Sequence, residues 1–213
     1  MKKYGLREIL ISSIAVLLPI VAGFIIWDKL PETMTTHFGV GGEADGYASK
    51  LFTVVGVPLI LLFLHLFCLF ITSLDPKAKN QNKKIAYLVL WLVPIISIAT
   101  MTMLYTYNVG IATSPEVYTL VFVGALFLIL GNWLPKTRQN YAVGIKVPWT
   151  LDNELNWEKT HRLAGYLWMI GGIIMIIMGI TTKAPEIVVI VSIFIVVVIP
   201  ILYSYYLHAK KGL

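Results

Sequence analysis

Three of this chain's four histidines stand beside residues with which an imidazole can do chemistry, and each points to a different kind. His37 shares a stretch with Glu43 and Asp45 in which Gly39, Gly41, Gly42 and Gly46 permit turns closed to other residues, letting the three side chains converge. Imidazole and carboxylates suit a divalent cation such as zinc or manganese. The spacing matches no familiar ligand pattern, so a hydrogen-bonded turn accounts for the same residues and no bound metal is expected. His65 lies inside a long apolar run, where an ionisable group is costly and defaults to a functional role. Its expected position faces the helix bundle, handling protons or a polar substrate; the simpler alternative is a neutral imidazole bonded to a neighbouring helix. His161 recurs with Trp157, Ala164 and Trp168 at steps that place all four on one helix face. That face is either packed at the interface or a binding surface with amphipathic rings as anchors.

Other chemistry finds little support. Cys68 is the only cysteine, which excludes an intrachain disulfide and a thiolate metal cluster. There is no H-E-x-x-H, no G-x-S-x-G and no carboxylate pair within an apolar run, so neither an enzyme nor a cofactor is expected. A hydrolase centred on His161 would lack a nucleophile.

The elements that must position these residues follow from composition: 58% hydrophobic and only 13% charged residues, with a mean hydropathy of +0.80, place the chain in a bilayer. A spanning helix needs about 20 mostly apolar residues, and six such runs stand at 9–27, 52–72, 85–107, 117–134, 163–181 and 187–206. The expected fold is all-α, a single six-span membrane domain over 1–213 with no room for a soluble one. The first run outlasts a signal-peptide core and no A-x-A site follows, so it reads as an anchor. Pro19, Pro58, Pro94 and Pro200 fall within four of the runs, where each is expected to remove a helical bond and kink the axis. Gly165, Gly171, Gly172 and Gly179 in the fifth run allow close helix approach.

Basic residues orient the spans, because Lys and Arg accumulate in cytoplasmic loops near span ends. Lys2, Lys3 and Arg7 precede the first span; Lys77, Lys79, Lys83 and Lys84 follow the second; Lys136, Arg138, Lys146, Lys159 and Arg162 follow the fourth; Lys210 and Lys211 follow the sixth. Only Lys29, Lys50 and Lys183 fall on the other side. Both termini and the connection 135–162 are therefore expected in the cytoplasm of a bacterium and the connection 28–51 outside its plasma membrane. The net charge of +6 reads as this topology signal rather than as a nucleic-acid surface.

The connection 135–162 is too rich in aromatics for a linker. It carries Asn140, then Gly144-Ile145-Lys146-Val147-Pro148-Trp149-Thr150-Leu151, then Trp157 and Thr160-His161-Arg162. The piece from Asn140 to Leu151 is expected to be a short extended segment tucked against the bundle, with Asn153 capping a helix that runs into the fifth span. These residues resemble the SdpI-type bacterial immunity membrane proteins, whose signature combines an Asn, a Gly-Ile-Arg-Thr-Pro-Trp-Thr-Leu core and a Trp ahead of the fifth span. Leu30-Pro31, His37, Gly42-Glu43, Asp45-Gly46-Tyr47 and Ser49-Lys50 look like the amino-terminal module of many relatives. The resemblance implies tolerance or sensing of a membrane-active peptide toxin, relayed through 135–162 to a cytoplasmic transcriptional repressor. It also implies a binding role for Asn140, Lys146, Trp149, Thr150, Trp157, His161 and Arg162, with His37, Glu43 and Asp45 outside. Two departures stand out: Lys146 replaces the usual Arg, losing bidentate recognition, and Val147 replaces Thr.

A second reading comes from a possible inverted repeat. Leu30-Pro-Glu-Thr33 and Leu134-Pro-Lys-Thr137 each follow the first span of a three-span unit, and each is trailed by an aromatic and Val-Gly (Val40-Gly41, Val143-Gly144). Units with an odd number of spans enter from opposite sides, as in many transporters. The alternative function is therefore a small membrane transporter or exporter.

Overall fold

Apolar runs of this length satisfy their backbone only as helices in lipid, and the computed structural model places a helix over each. It describes residues 4–39, 42–77, 82–111, 114–181 and 186–213. Lys2, Lys3, Val40, Gly41, Lys79, Lys183 and Pro185, on which some of the readings above rest, lie outside the described residues. The helices are α1 (Leu6–Ile25), α2 (Val57–Leu74), α3 (Lys83–Asn108), α4 (Pro115–Trp133), α5 (Pro148–Asp152), α6 (Glu154–Thr181) and α7 (Glu186–Lys211). All but α5 lie in segments long and apolar enough to cross a membrane. Their starts follow from local chemistry. The Glu8 carboxylate accepts the Gly5 N–H at 2.9 Å ahead of α1, and Ser114, Pro115 and Glu116 open α4. Asn153 Oδ1 accepts the N–H groups of Leu155 and Asn156 at 2.9 and 3.0 Å, so α6 begins where a capping residue was expected.

The chain divides into two compact units, Met1–Ser73 with Ala86–Tyr118 and Leu74–Ile85 with Thr119–Leu213. In the first unit, α1 and α3 are joined by polar bonds at Pro19. That proline has no N–H, so the Ala15 carbonyl four residues earlier loses its helical donor, and two hydroxyls of α3 bind neighbouring carbonyls. Ser97 Oγ donates to the Val16 carbonyl at 2.8 Å and Tyr105 Oη to the Pro19 carbonyl at 2.9 Å, both buried. Pro58 directly follows a π-helical stretch over Phe52–Gly56 that runs on into α2, so the donor this proline lacks coincides with a place where the helix is already wound more widely. Leu30, Met34, Val54, Met101, Leu104 and Tyr105 form the unit's main apolar core.

The all-helical expectation gains one exception in the first connection. A two-stranded antiparallel hairpin, β1 (Thr33–Phe38) and β2 (Ala44–Ser49), occupies it. Met34 and Thr35 are buried, whereas β2 alternates half-buried and exposed positions, the period of a strand with one wet face. Lys50 at its end is buried, pairs with Glu32 at 2.8 Å and lies over the Trp27 ring, so its charge is absorbed locally.

In the second unit the helix contact is made by glycines. A Cβ on Gly172 would stand 2.5 Å from the Gly124 carbonyl oxygen and one on Gly124 2.7 Å from that of Gly172. Gly131 and Gly165 oppose each other in the same reciprocal way at 2.9 and 2.7 Å. Two pairs seven residues apart on antiparallel helices therefore bring the backbones of α4 and α6 into direct contact, the packing that small residues make possible in lipid. Gly171 instead faces a side chain, Val196 of α7, 3.1 Å from where its Cβ would stand. The inverted repeat is not established: each unit carries about three spans, but one long connection is a β-hairpin and the other, over 134–153, is turns and the short helix α5.

Candidate functional site

The connection between α4 and α6 is an ordered body built on buried hydrogen bonds. After a tight turn at Leu134–Lys136, Asn140 organises the chain by using every polar capacity of its amide. Its Oδ1 accepts the N–H groups of Ala142 and Val143 at 2.8 and 2.7 Å, and its Nδ2 donates to the carbonyls of Arg138 and Val143, each at 2.8 Å. Such an Asx turn replaces a backbone turn with a side chain. Gly144 follows at φ +124, and a Cβ there would stand 2.4 Å from His161 Nε2 and 2.9 Å from the Trp157 ring. Only glycine lets the chain pass this close.

His161 then joins connection to helix. Its Nε2 accepts the Ile145 N–H at 2.9 Å and its Nδ1 lies 2.8 Å from the Trp157 carbonyl, so Nδ1 carries the proton and the ring is neutral. The Trp157 and His161 rings stack at 3.9 Å, and Trp157 Nε1 donates to the Thr137 carbonyl at 2.9 Å. Both side chains are buried, Trp157 at 2% and His161 at 0% exposure. The Trp and His stripe of α6 is thus packed inside its unit rather than presented as exposed anchors. Replacing Trp157 with Phe keeps the ring and leaves the Thr137 carbonyl without its donor; the expected cost is about 1 kcal/mol, read as faster hydrogen exchange across 137–145 with the spans unchanged.

Val147 to Asp152 departs from the extended geometry expected there. Val147 is extended, as a residue before proline must be, but Pro148 starts the single turn of α5. Thr150 explains it: its Oγ1 accepts the Val147 N–H at 3.1 Å and lies 2.8 Å from the Ile145 carbonyl. Gln139 Nε2 caps the far end, donating to the carbonyls of Thr150 and Leu151 at 2.9 and 2.8 Å. The second connection joins here too. Lys77 Nζ donates to Gln139 Oε1 and sits over the Tyr141 ring, while Asp75 Oδ2 accepts the Tyr141 N–H at 3.2 Å. The end of α7 completes the body: Asn156 Nδ2 donates to the carbonyls of Ser204 and Leu213, and its Oδ1 accepts from Ser204 Oγ and Thr160 Oγ1.

Of the residues singled out in this connection, Asn140, Thr150, Trp157 and His161 build it and are buried. Lys146 and Arg162 are exposed, and Lys146 Nζ reaches the Ala142 carbonyl at 3.2 Å. Trp149 stands between the groups: half-buried, stacked on His208 at 5.9 Å and edge-on to Tyr205 at 5.3 Å, with an indole N–H that meets no described acceptor. Sequence reasoning missed Gln139, Asn156 and Ser204, polar residues whose partners lie far away along the chain.

The other singled-out residues lie in the first unit. His37 Nδ1 and Asp45 Oδ1 pair at 2.5 Å on the exposed face of the hairpin, and the Glu43 carboxylate lies close to Gly39. Among the described residues no three His, Cys, Asp or Glu side chains cluster as a metal would require. His65 is fully buried and faces α1, its Nε2 2.9 Å from Ser12 Oγ. Ser12 Oγ lies 3.0 Å from the Ile9 carbonyl, to which it donates, which leaves the imidazole to donate to Ser12 as a neutral ring.

Comparison with known proteins follows the same division. Residues 136–204 match the SdpI/YfhL protein family, and residues 14–62 match a domain of unknown function (DUF1648). The chain is 27% identical over 210 residues to Immunity protein SdpI of Bacillus subtilis (strain 168), covering 96% of this chain and 98% of the relative. No solved structure matches.

Proposed function

We propose that the chain, similar to an immunity protein over nearly its whole length and carrying six helices long and apolar enough to span a membrane, protects its cell against a membrane-active peptide, or senses one, and relays that event through the connection 135–162. The observation that carries the reading is the similarity to an immunity protein along nearly the whole chain, through the helices and both long connections. The charge distribution supports a bacterial plasma-membrane location with both termini and 135–162 in the cytoplasm. In this scheme peptide bound from outside favours one helix arrangement and shifts the population toward it.

Burial sorts the inner residues by role. Asn140, Thr150, Trp157 and His161 hold the connection's shape, and Lys146, Trp149 and Arg162 meet a partner. A cytoplasmic transcriptional repressor is the partner class that the relay requires. Cells lacking the protein are expected to lose tolerance to a cognate peptide. Trp149→Ala is expected to weaken the partner by about 2 kcal/mol, roughly 30-fold in affinity, with membrane abundance unchanged. Full tolerance in the deletion strain would end the immunity reading; an undiminished downstream response in Trp149→Ala cells would end the relay. Substrate flux in proteoliposomes would instead favour the transporter.

A further inference from the structure

An isolated hairpin has two open edges, each a row of main-chain groups that can pair with another strand. In this protein one edge is closed by a side chain. Asn108, the last residue of α3, accepts the Thr35 N–H on Oδ1 at 2.8 Å and donates from Nδ2 to the Thr35 carbonyl at 3.0 Å. The asparagine amide thereby imitates a neighbouring strand along β1. The same two bonds fix the register: the main chain of Thr35 points away from β2, and Thr35 lies opposite Tyr47. In an antiparallel pair the residue opposite then points its own N–H and carbonyl away from β1. No described residue meets those two groups of Tyr47, and its side chain is 62% exposed.

The free edge also carries one sign of charge at its turn end. Glu43 and Asp45 are exposed there, and Glu116 stands against Gly42. Lys50 does not offset them, being buried on Glu32 and Trp27, and the one imidazole nearby, His37, pairs with Asp45 and leaves Glu43 and Glu116 to a ligand.

We infer that the outer edge of β2 is a strand-addition site for an extended, cationic peptide. Its main chain pairs with Tyr47, and its basic side chains meet Glu43 and Glu116. Main-chain pairing supplies affinity with little regard to sequence, and the flanking groups supply selectivity, as in other edge-strand recognition. The site deepens the proposed function, on whose topology it rests, by naming where and in what conformation the peptide is first held.

The test uses the full-length protein in nanodiscs of zwitterionic lipid and a synthetic ten-residue probe of alternating lysine and valine. Two comparison probes are needed: the same sequence N-methylated at alternate residues, and an alternating glutamate and valine peptide. Tyr47→Pro removes the edge donor without touching a bond between the strands, because proline is tolerated where the N–H faces outward on an edge; it loses the Tyr47 Oη bond to the Ala44 carbonyl, as Tyr47→Ala also does. Tyr47→Ala keeps the donor. Expected is saturable binding of the lysine probe, weakened about tenfold by Tyr47→Pro or by N-methylation and much less by Tyr47→Ala. The glutamate probe is expected not to bind.

Hydrogen exchange on the unmutated protein reads the same event without a variant. The Tyr47 amide gains protection when the lysine probe is added, and the Thr35 amide, already held by Asn108, does not change. No saturable binding, equal binding of the N-methylated probe, or an unprotected Tyr47 amide would each overturn the site. Such a failure leaves the deletion-strain tolerance result standing, so the edge and the immunity reading are judged separately.

Discussion

Gly172→Leu is expected to destabilise the α4 and α6 pair more than any other single change. A Cβ at this position would already lie 2.5 Å from a backbone oxygen of the opposing helix, and a backbone cannot rotate away as a side chain can. Overpacking a well-fitted interface costs typically 1 to 3 kcal/mol; here a whole isobutyl group must be admitted, so about 3 kcal/mol is expected, out of a total commonly near 5 to 15. Full-length protein in mild detergent should unfold at markedly lower denaturant, and membrane abundance should fall. Gly171→Ala is the milder comparison, because a Cβ there meets side chains, Val196 at 3.1 Å and Phe127 at 4.0 Å, rather than backbone, and it should cost much less. Equal behaviour of the two variants would show that the helices do not mesh through their glycines.

Gly144→Ala is expected to have the second-largest effect, confined to the connection between α4 and α6. The position requires φ +124, a conformation that costs an L-residue about 1 to 3 kcal/mol. The added methyl would also strike His161 Nε2, where the Ile145 N–H is received. The chain must withdraw from α6, losing the Ile145 bond and the seat of the Trp157 and His161 stack. Limited proteolysis should then cut between 138 and 152 at least tenfold faster, following the opened population, with the spans still protected. An uncut Gly144→Ala protein would mean that the connection is held by Asn140 and Gln139 alone.

The positions of the six spanning helices were legible because lipid imposes a simple rule, and runs such as Phe52 to Thr72 satisfy it without help from distant residues. The start of α6 at Asn153 was legible for a similar reason, since a cap is a local device. What escaped the sequence depends on partners far along the chain. The hairpin forms where Thr35 meets Asn108, 73 residues away. Gln139 looks like one polar loop residue among many until Lys77 and the carbonyls of α5 surround it. Trp157 and His161 were correctly placed on one face, but periodicity cannot tell a packed face from a presented one, and Gly144 decides the matter by letting the connection close over them. Val147 to Leu151 misled in a simpler way: the rule for residues before proline held at Val147, and the side chain of Thr150 turned the next five residues into α5.

The two hydroxyl groups that flank Pro19 carry a mechanical consequence. A proline in the middle of a membrane helix is commonly regarded as a hinge, because the axis has lost a restraint there. In this protein Ser97 and Tyr105 add restraint from outside, on the carbonyls of Val16 and of Pro19 itself. α1 is spliced to α3 at that depth, so movement of one helix at the joint must carry the other with it as one lever.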